Sequence, residues 1–131
     1  MVNQILDIPD GYKILIVEDD LILSIALSMM LKKIGFSHIE KVQTAEQAFD
    51  SIKENLPDLL VMDINLGSGM SGIDFVKEIQ KDHEVDVLYI TGNSDMFNRM
   101  LAGETDYLDY LTKPVTPAEL KKSLSKAFSP V

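Results

Sequence analysis

Short uninterrupted apolar runs alternate along this chain with longer segments whose apolar positions recur every three or four residues. Lys13 to Val17 (KILIV) is the first such run and predicts a strand buried on both faces. From about Asp20 to Ile34 the period turns helical; Asp20, Ser24, Ser28 and Lys32 fall four apart on one stripe, and Gly35 suits the end of the helix. His38 to Val42 predicts a weaker second strand. Thr44 then opens a helix through a Thr44–Gln47 capping box, with Ala45, Ala48, Phe49 and Ile52 on its inner face. Pro57 stops that segment, and Leu59 to Met62 predicts a third strand ending on Asp63. A Gly/Ser loop over residues 67–72 leads into a helix with Ile73, Val76 and Ile79 inward. Val85 to Ile90 predicts a fourth strand running out at Thr91-Gly92, followed by a short helix from about Asp95 to Ala102. Tyr107 to Leu111 predicts a fifth strand that ends at Lys113-Pro114. The last helix carries Thr116 as N-cap, Pro117 in its first turn and Glu119 two residues on, then Leu120, Leu124 and Phe128.

Five strands alternating with five helices predict an α/β fold: a doubly wound (βα)5 sandwich around a five-stranded parallel sheet with right-handed crossovers. No linker or repeat divides the chain. Residues 1–12, closed by Pro9 and Asp10-Gly11, read as a lead-in, residues 13–128 as the single domain and residues 129–131 as a tail.

Composition narrows the chemistry. The 131 residues contain no cysteine, which excludes disulfide scaffolds, thiolate zinc sites and cysteine nucleophiles. A net charge of −9 argues against direct nucleic-acid binding and against attraction to an anionic membrane. No apolar stretch approaches the ~20 residues of a transmembrane helix, and no leader pattern opens the chain. The expected location is cytoplasmic.

In a parallel sheet of this kind, ligands bind at the carboxyl ends of the strands. Strand one ends in Glu18-Asp19-Asp20, strand three in Asp63, strand four in Thr91 and strand five in Lys113. Carboxylates gathered at one edge repel unless a cation joins them or a proton neutralises one. Oxygen ligands suit Mg²⁺, a hard ion that shares its shell with water and phosphate. A hydroxyl and an ammonium nearby suit an incoming phosphoryl group, and a carboxylate can be its nucleophile. The set therefore reads as Mg²⁺-assisted phosphoryl transfer onto an aspartate, with Mn²⁺ as an alternative ion.

The stretches ILIVEDD, PDLLVMDINL, YITGNSD and DYLTKP occur in this order from about Lys13 to Ala127. With them the chain resembles the response-regulator receiver domains of the CheY-like superfamily, in two-component phosphorelay signalling. The resemblance implies a flavodoxin/CheY-like sheet in the order 2-1-3-4-5. It implies that Asp63 accepts a phosphoryl group from a sensor histidine kinase, a phosphotransfer protein or a small phosphodonor. Spacing alone does not select two of the three acids; the resemblance selects Glu18 and Asp19, which with Asp63 and the backbone carbonyl of Asn65 would hold Mg²⁺. Asp20 is left as an N-cap. Thr91 and Lys113 would stabilise the phosphoryl group, Thr91 and Tyr110 would form the switch, and Pro114 would follow a cis peptide. Asn65 and Asn93, two residues beyond Asp63 and Thr91, would tune hydrolysis.

The implied protein is a phosphoacceptor switch with Mg²⁺-dependent self-phosphorylation and self-dephosphorylation, not a conventional enzyme. Its output would pass to a protein partner across helix 4, strand 5 and helix 5, with a phosphorylation-dependent homodimer as one form. Two departures stand out. The loop after Asp63 reads Gly67-Ser68-Gly69, one residue longer than the family pattern and without its proline; Glu104-Thr105-Asp106-Tyr107 replaces a usual Gly-Ala.

Other readings fit less of the chain. A haloacid-dehalogenase-type Mg²⁺ phosphatase or phosphotransferase wants a second acid two residues after the nucleophile, where Asn65 stands, and a cap domain. A flavodoxin-like electron carrier needs a hydroxyl-rich loop after strand one, where three acids stand. A pseudo-receiver would not need so complete a site. Gly67, Gly69 and Gly72 spell a dinucleotide fingerprint but follow the wrong strand. His38 and His83 read as solvated, and Met96, Phe97, Met100 and Leu101 suit either core or a partner surface.

Overall fold

The computed structural model describes residues 6–67, 69–92 and 96–128. Its elements run β1 (Lys13–Val17), α1 (Leu21–Ile34), β2 (His38–Val42), α2 (Ala45–Glu54), β3 (Leu59–Asp63), α3 (Gly72–Gln80), β4 (Asp86–Thr91), α4 (Met96–Ala102), β5 (Asp109–Thr112) and α5 (Pro117–Leu124). All strand pairs are parallel, and the sheet order is β2-β1-β3-β4-β5. β3 lies at the centre and is buried at every residue, as its unbroken LLVM run requires.

Strand periodicity divides the core into two. Ile14, Ile16, Leu59, Val61, Leu88 and Ile90 point to one face, where α1 and α5 supply Leu27, Leu31, Leu120 and Leu124. Leu15, Val17, Leu60, Met62, Val87 and Tyr89 point to the other, under α2, α3 and α4. Residues 6–12, read from sequence as a lead-in, join the first core: Leu6 is 6% exposed, and Tyr12 stacks edge-on to Phe128 at 4.9 Å.

Four local features differ from the sequence expectation. Ser24 and Ser28 of the polar stripe on α1 are buried while Asp20 and Lys32 are exposed, and Ile22, Ile25 and Met29 point outward. Leu27 and Leu31 share the buried side of α1 with these serines. In α2 the capping box is displaced: Thr44 Oγ1 accepts the Gln47 N–H, but the Gln47 side chain takes the N–H of Gln43. Strand β4 starts and ends one residue later than expected. Strand β5 starts two residues later, because Gln80 of α3 binds both the N–H and the carbonyl of Asp106 and holds that segment out of the ladder. The start expected for the fourth helix near Asp95 and the tail over residues 129–131 lie outside the described residues. Among the described residues no helix is long and apolar enough to cross a membrane.

Candidate functional site

The apolar runs of β1 and β3 carry their following acids into the protein's interior. Val17 pairs with Met62, so Glu18 and Asp63 leave adjacent strands at nearly the same height. Glu18 is 1% exposed and Asp63 2%. β4 delivers Thr91, fully buried, beside Asp63, and β5 brings Lys113 in from the far side through a Thr91 carbonyl that accepts the Lys113 N–H at 2.8 Å. The Lys113–Pro114 peptide is cis. Side chains separated by up to 95 residues thus meet at one edge of the sheet.

Each acid has its own surroundings. Asp63 Oδ1 accepts the N–H of Asn65 at 3.1 Å, and Oδ2 lies 3.5 Å from the Lys113 ammonium. Glu18 Oε2 accepts the Asp20 N–H at 2.9 Å, while Oε1 lies 3.0 Å from the same ammonium. Asp20 turns away: its carboxylate accepts the Ile22 and Leu23 N–H groups as the N-cap of α1. Asp19 stays exposed, and one oxygen from each of Glu18, Asp19 and Asp63 lies within 4.8 Å of the others.

The electrostatics follow from that crowding. Burial pushes the Asp63 carboxyl up to about 7; the neighbouring Glu18 charge pushes the same way, and the Lys113 ammonium and Asn65 N–H only partly oppose them. Burial acts to lower the Lys113 ammonium, but Glu18 and Asp63 outweigh it and the net shift is upward. One ammonium thus faces two buried carboxylates and a third at the surface. A divalent cation fits this set on charge and on ligand type, since all three donors are hard carboxylate oxygens.

The loop after β3 shapes the entrance. Gly67 (φ +78°) passes beside Asp19: a Cβ there would stand 3.5 Å from Oδ2. Asn65 is exposed, with its side-chain amide 3.4 Å from Thr91 Oγ1. Gly72 has a role the sequence reading missed. A Cβ on it would stand 2.3 Å from the Asp63 carbonyl oxygen, so only glycine lets α3 start against the end of β3. The fingerprint-like spacing of the glycines is therefore coincidental: Gly72 serves helix packing, while Gly67 and Gly69 adopt positive φ in the loop.

The structure brings Glu18, Asp19, Asp63, Asn65, Thr91 and Lys113 together, and places Tyr110 one strand away. Tyr110 is 5% exposed. Asn93 lies outside the described residues. His38 and His83 are exposed, as are Met96, Phe97 and Met100, while Leu101 is partly buried. Sequence reasoning missed Arg99, which covers the Tyr110 ring, and the buried Tyr89–Thr105 hydroxyl pair (2.8 Å) beneath it.

A parallel 2-1-3-4-5 sheet with an acid-and-lysine cluster at its carboxyl edge defines a class of phosphoacceptor domain. Residues 14–125 match the model of the response regulator receiver domain, and the chain belongs to that family. It is a receiver domain of two-component response regulators, a family of phosphoacceptor switches that work with histidine kinases and downstream effectors. It is 32% identical over 115 residues to the sensory transduction protein LytT of Bacillus subtilis, covering 87% of this chain and 47% of that protein. The chain thus spans about half the length of the curated relatives it matches. Among solved structures it is similar to the N-terminal domain of a response regulator/sensory box/GGDEF protein from Carboxydothermus hydrogenoformans (30% identity, TM-score 0.79, 88% and 92% of the two chains). It is also similar to the receiver domain of a Pseudomonas aeruginosa sensor histidine kinase with a magnesium ion coordinated in its active-site cleft (28% identity, TM-score 0.77, 88% and 96% of the two chains).

Proposed function

We propose that Asp63 is the phosphoacceptor, that Glu18, Asp19, Asp63 and the Asn65 carbonyl hold Mg²⁺, and that Thr91 and Lys113 receive the phosphoryl oxygens. The observation that carries this reading is the meeting of Asp63 with Lys113 (3.5 Å) inside a three-carboxylate cluster at the carboxyl edge of the sheet. An Asp63 carboxylate oxygen forms the new O–P bond while the donor's P–N or P–O bond breaks, its electron pair leaving with the donor. Mg²⁺, when bound, screens the charge between carboxylates and phosphoryl group. Lys113, already poised between Glu18 and Asp63, shifts its ammonium toward the new oxygens, and the Thr91 hydroxyl donates to one of them. Attack of water on phosphorus later returns the carboxylate and inorganic phosphate. Asn65 stands exposed beside that path, which supports a role in tuning hydrolysis; Asn93 is assigned the same role by its sequence position.

Transfer of this kind needs no second acid, and Asn65 occupies the place where a haloacid-dehalogenase enzyme would have one. The proposed setting is cytoplasmic, with a histidine kinase or phosphotransfer protein as donor and a protein target reading α4, β5 and α5. The experiment is intact-mass spectrometry after incubation with acetyl phosphate and Mg²⁺. The chain should gain one phosphoryl group, and Asp63→Asn should gain none. Undiminished labelling of that variant would overturn the assignment.

A further inference from the structure

Tyr110 occupies a slot with unlike walls. The inner wall is Tyr89, fully buried, with its ring centroid 6.3 Å from that of Tyr110. Tyr89 cannot swing. Thr105 Oγ1 donates to the Ala102 carbonyl at 2.7 Å, so the Tyr89 hydroxyl donates to Thr105 at 2.8 Å, and this short chain fixes the ring to the end of α4. The outer wall is Arg99, whose guanidinium carbon stands 4.9 Å from the Tyr110 centroid, within cation–π range. Arg99 is exposed and belongs to a seven-residue helix whose only buried residue is Ala102. One wall is therefore fixed, and the other can leave by a change of side-chain rotamer.

We propose that Arg99 is a positioning residue of the switch: its guanidinium closes the open side of the slot and holds the Tyr110 ring inward before a phosphoryl group arrives. This rests on the reading of Thr91 and Tyr110 as the switch pair. A flat guanidinium can lie against an aromatic face and sheds water more readily than a compact ammonium, so lysine replaces it only in part. Outward rotation of Tyr110 first requires Arg99 to move. The state of the ring is thereby tied to α4, whose Met96, Phe97 and Met100 are 77%, 68% and 68% exposed on the surface proposed for the output partner.

The test is NMR of the whole chain with ¹³C-labelled tyrosine, the Tyr110 signal being assigned from Tyr110→Leu. Without any phosphoryl analogue, Arg99→Ala should lower the inward-to-outward ratio of Tyr110 about two- to fivefold, as expected for losing one cation–π contact at an exposed site. Arg99→Lys should recover part of that loss, and Arg99→Met, which keeps an unbranched apolar stem without the charge, should not. An unmoved Tyr110 signal in Arg99→Ala, or full recovery in Arg99→Met, would overturn the proposal. Beryllofluoride with Mg²⁺ forms a separate arm. No response at Thr91 in the unsubstituted chain would sink the switch reading, whereas the Arg99 series is decided without the analogue. With the analogue bound, the unsubstituted chain and Arg99→Ala should converge on the inward ring; a difference that persists would count against Arg99 acting on the unphosphorylated balance.

Discussion

Asp63 and Asp109 are both aspartates of the central sheet, yet their surroundings push them in opposite directions. Asp63 closes β3 at the carboxyl edge, where burial and Glu18 raise its carboxyl to about 7. Asp109 opens β5 at the amino edge. There burial also acts to raise the carboxyl, but the Ser123 hydroxyl (2.6 Å), the Tyr110 N–H (2.9 Å) and the Lys126 ammonium (3.0 Å) outweigh it and hold it low. Both carboxylates have donors; the difference is the company of other acids. Lys126 pairs with Asp109, whereas Lys113 is divided between Asp63 and Glu18. Asp109 is electrostatically settled, and the cluster around Asp63 is built with more negative charge than its protein partners neutralise. Unsatisfied charge of that kind is a signature of a site.

The largest consequence is for stability without metal. Asp63→Asn removes a buried carboxylate that its neighbours disfavour, and should stabilise the metal-free protein at pH 8 by on the order of 2 kcal/mol. Urea unfolding in EDTA measures this, and a destabilised variant would mean that Lys113 already compensates the charge. The pH dependence carries the same sign. Because the folded Asp63 pKa lies above its unfolded value, the native state binds the extra proton. The stability this gives is fully present below the unfolded pKa, near 3.8, and is lost as pH rises through about 7. Saturating Mg²⁺ should flatten that decline, since the ion takes the place of the proton. A urea midpoint that follows pH equally with and without Mg²⁺ would separate the titration from the metal site.

Asp109 should do the reverse with a smaller effect. Its folded pKa is depressed, so its contribution is present above the ordinary carboxylate range and is lost as pH falls through the lower folded value. Asp109→Asn should destabilise the protein by about 1 kcal/mol at neutral pH, since the site is partly exposed and the ion pair with Lys126 is screened. The same urea titration checks it. A stabilised Asp109→Asn would erase the contrast between the two aspartates.

How far the sequence reveals this depends on whether a signal is local. Strand ends are local: an apolar run closing on an acid, a threonine or a lysine marks Glu18, Asp63, Thr91 and Lys113, and the parallel topology supplies their meeting. The N-cap of α5 is equally direct, with Thr116 and Glu119 bonded as their spacing implies. What escaped depends on contacts between distant segments. Gln80 delays the start of β5 from a different helix, and Gly72 is required only because the carbonyl of Asp63 lies where its Cβ would be. The serine stripe of α1 was misleading for a related reason. Periodicity locates a polar stripe, but its two small members, Ser24 and Ser28, are buried while Asp20 and Lys32 stay exposed. Arg99 gave no signal, because nothing in its neighbours anticipates a ring eleven residues away.

The finest contrast divides two adjacent acids. Asp19 and Asp20 are consecutive, exposed and identical in type, so composition gives no reason to treat them differently. Their geometry does. Asp19 belongs to the group whose oxygens approach within 4.8 Å, and Gly67 passes beside it, whereas the Asp20 carboxylate is engaged by the Ile22 and Leu23 N–H groups. Asparagine caps a helix about as well as aspartate, so Asp20→Asn should change stability by no more than a few tenths of a kcal/mol. It should also weaken Mg²⁺ binding only through the loss of one nearby charge. Asp19→Asn removes a proposed ligand and should weaken Mg²⁺ binding at least about tenfold, a loss of the ~1.4 kcal/mol that a factor of ten represents. Mg²⁺ titration followed by NMR of the backbone amides around Glu18 compares the two directly. Equal losses would mean that the site senses negative charge without distinguishing ligands, and a greater loss for Asp20→Asn would move the metal one residue along the chain.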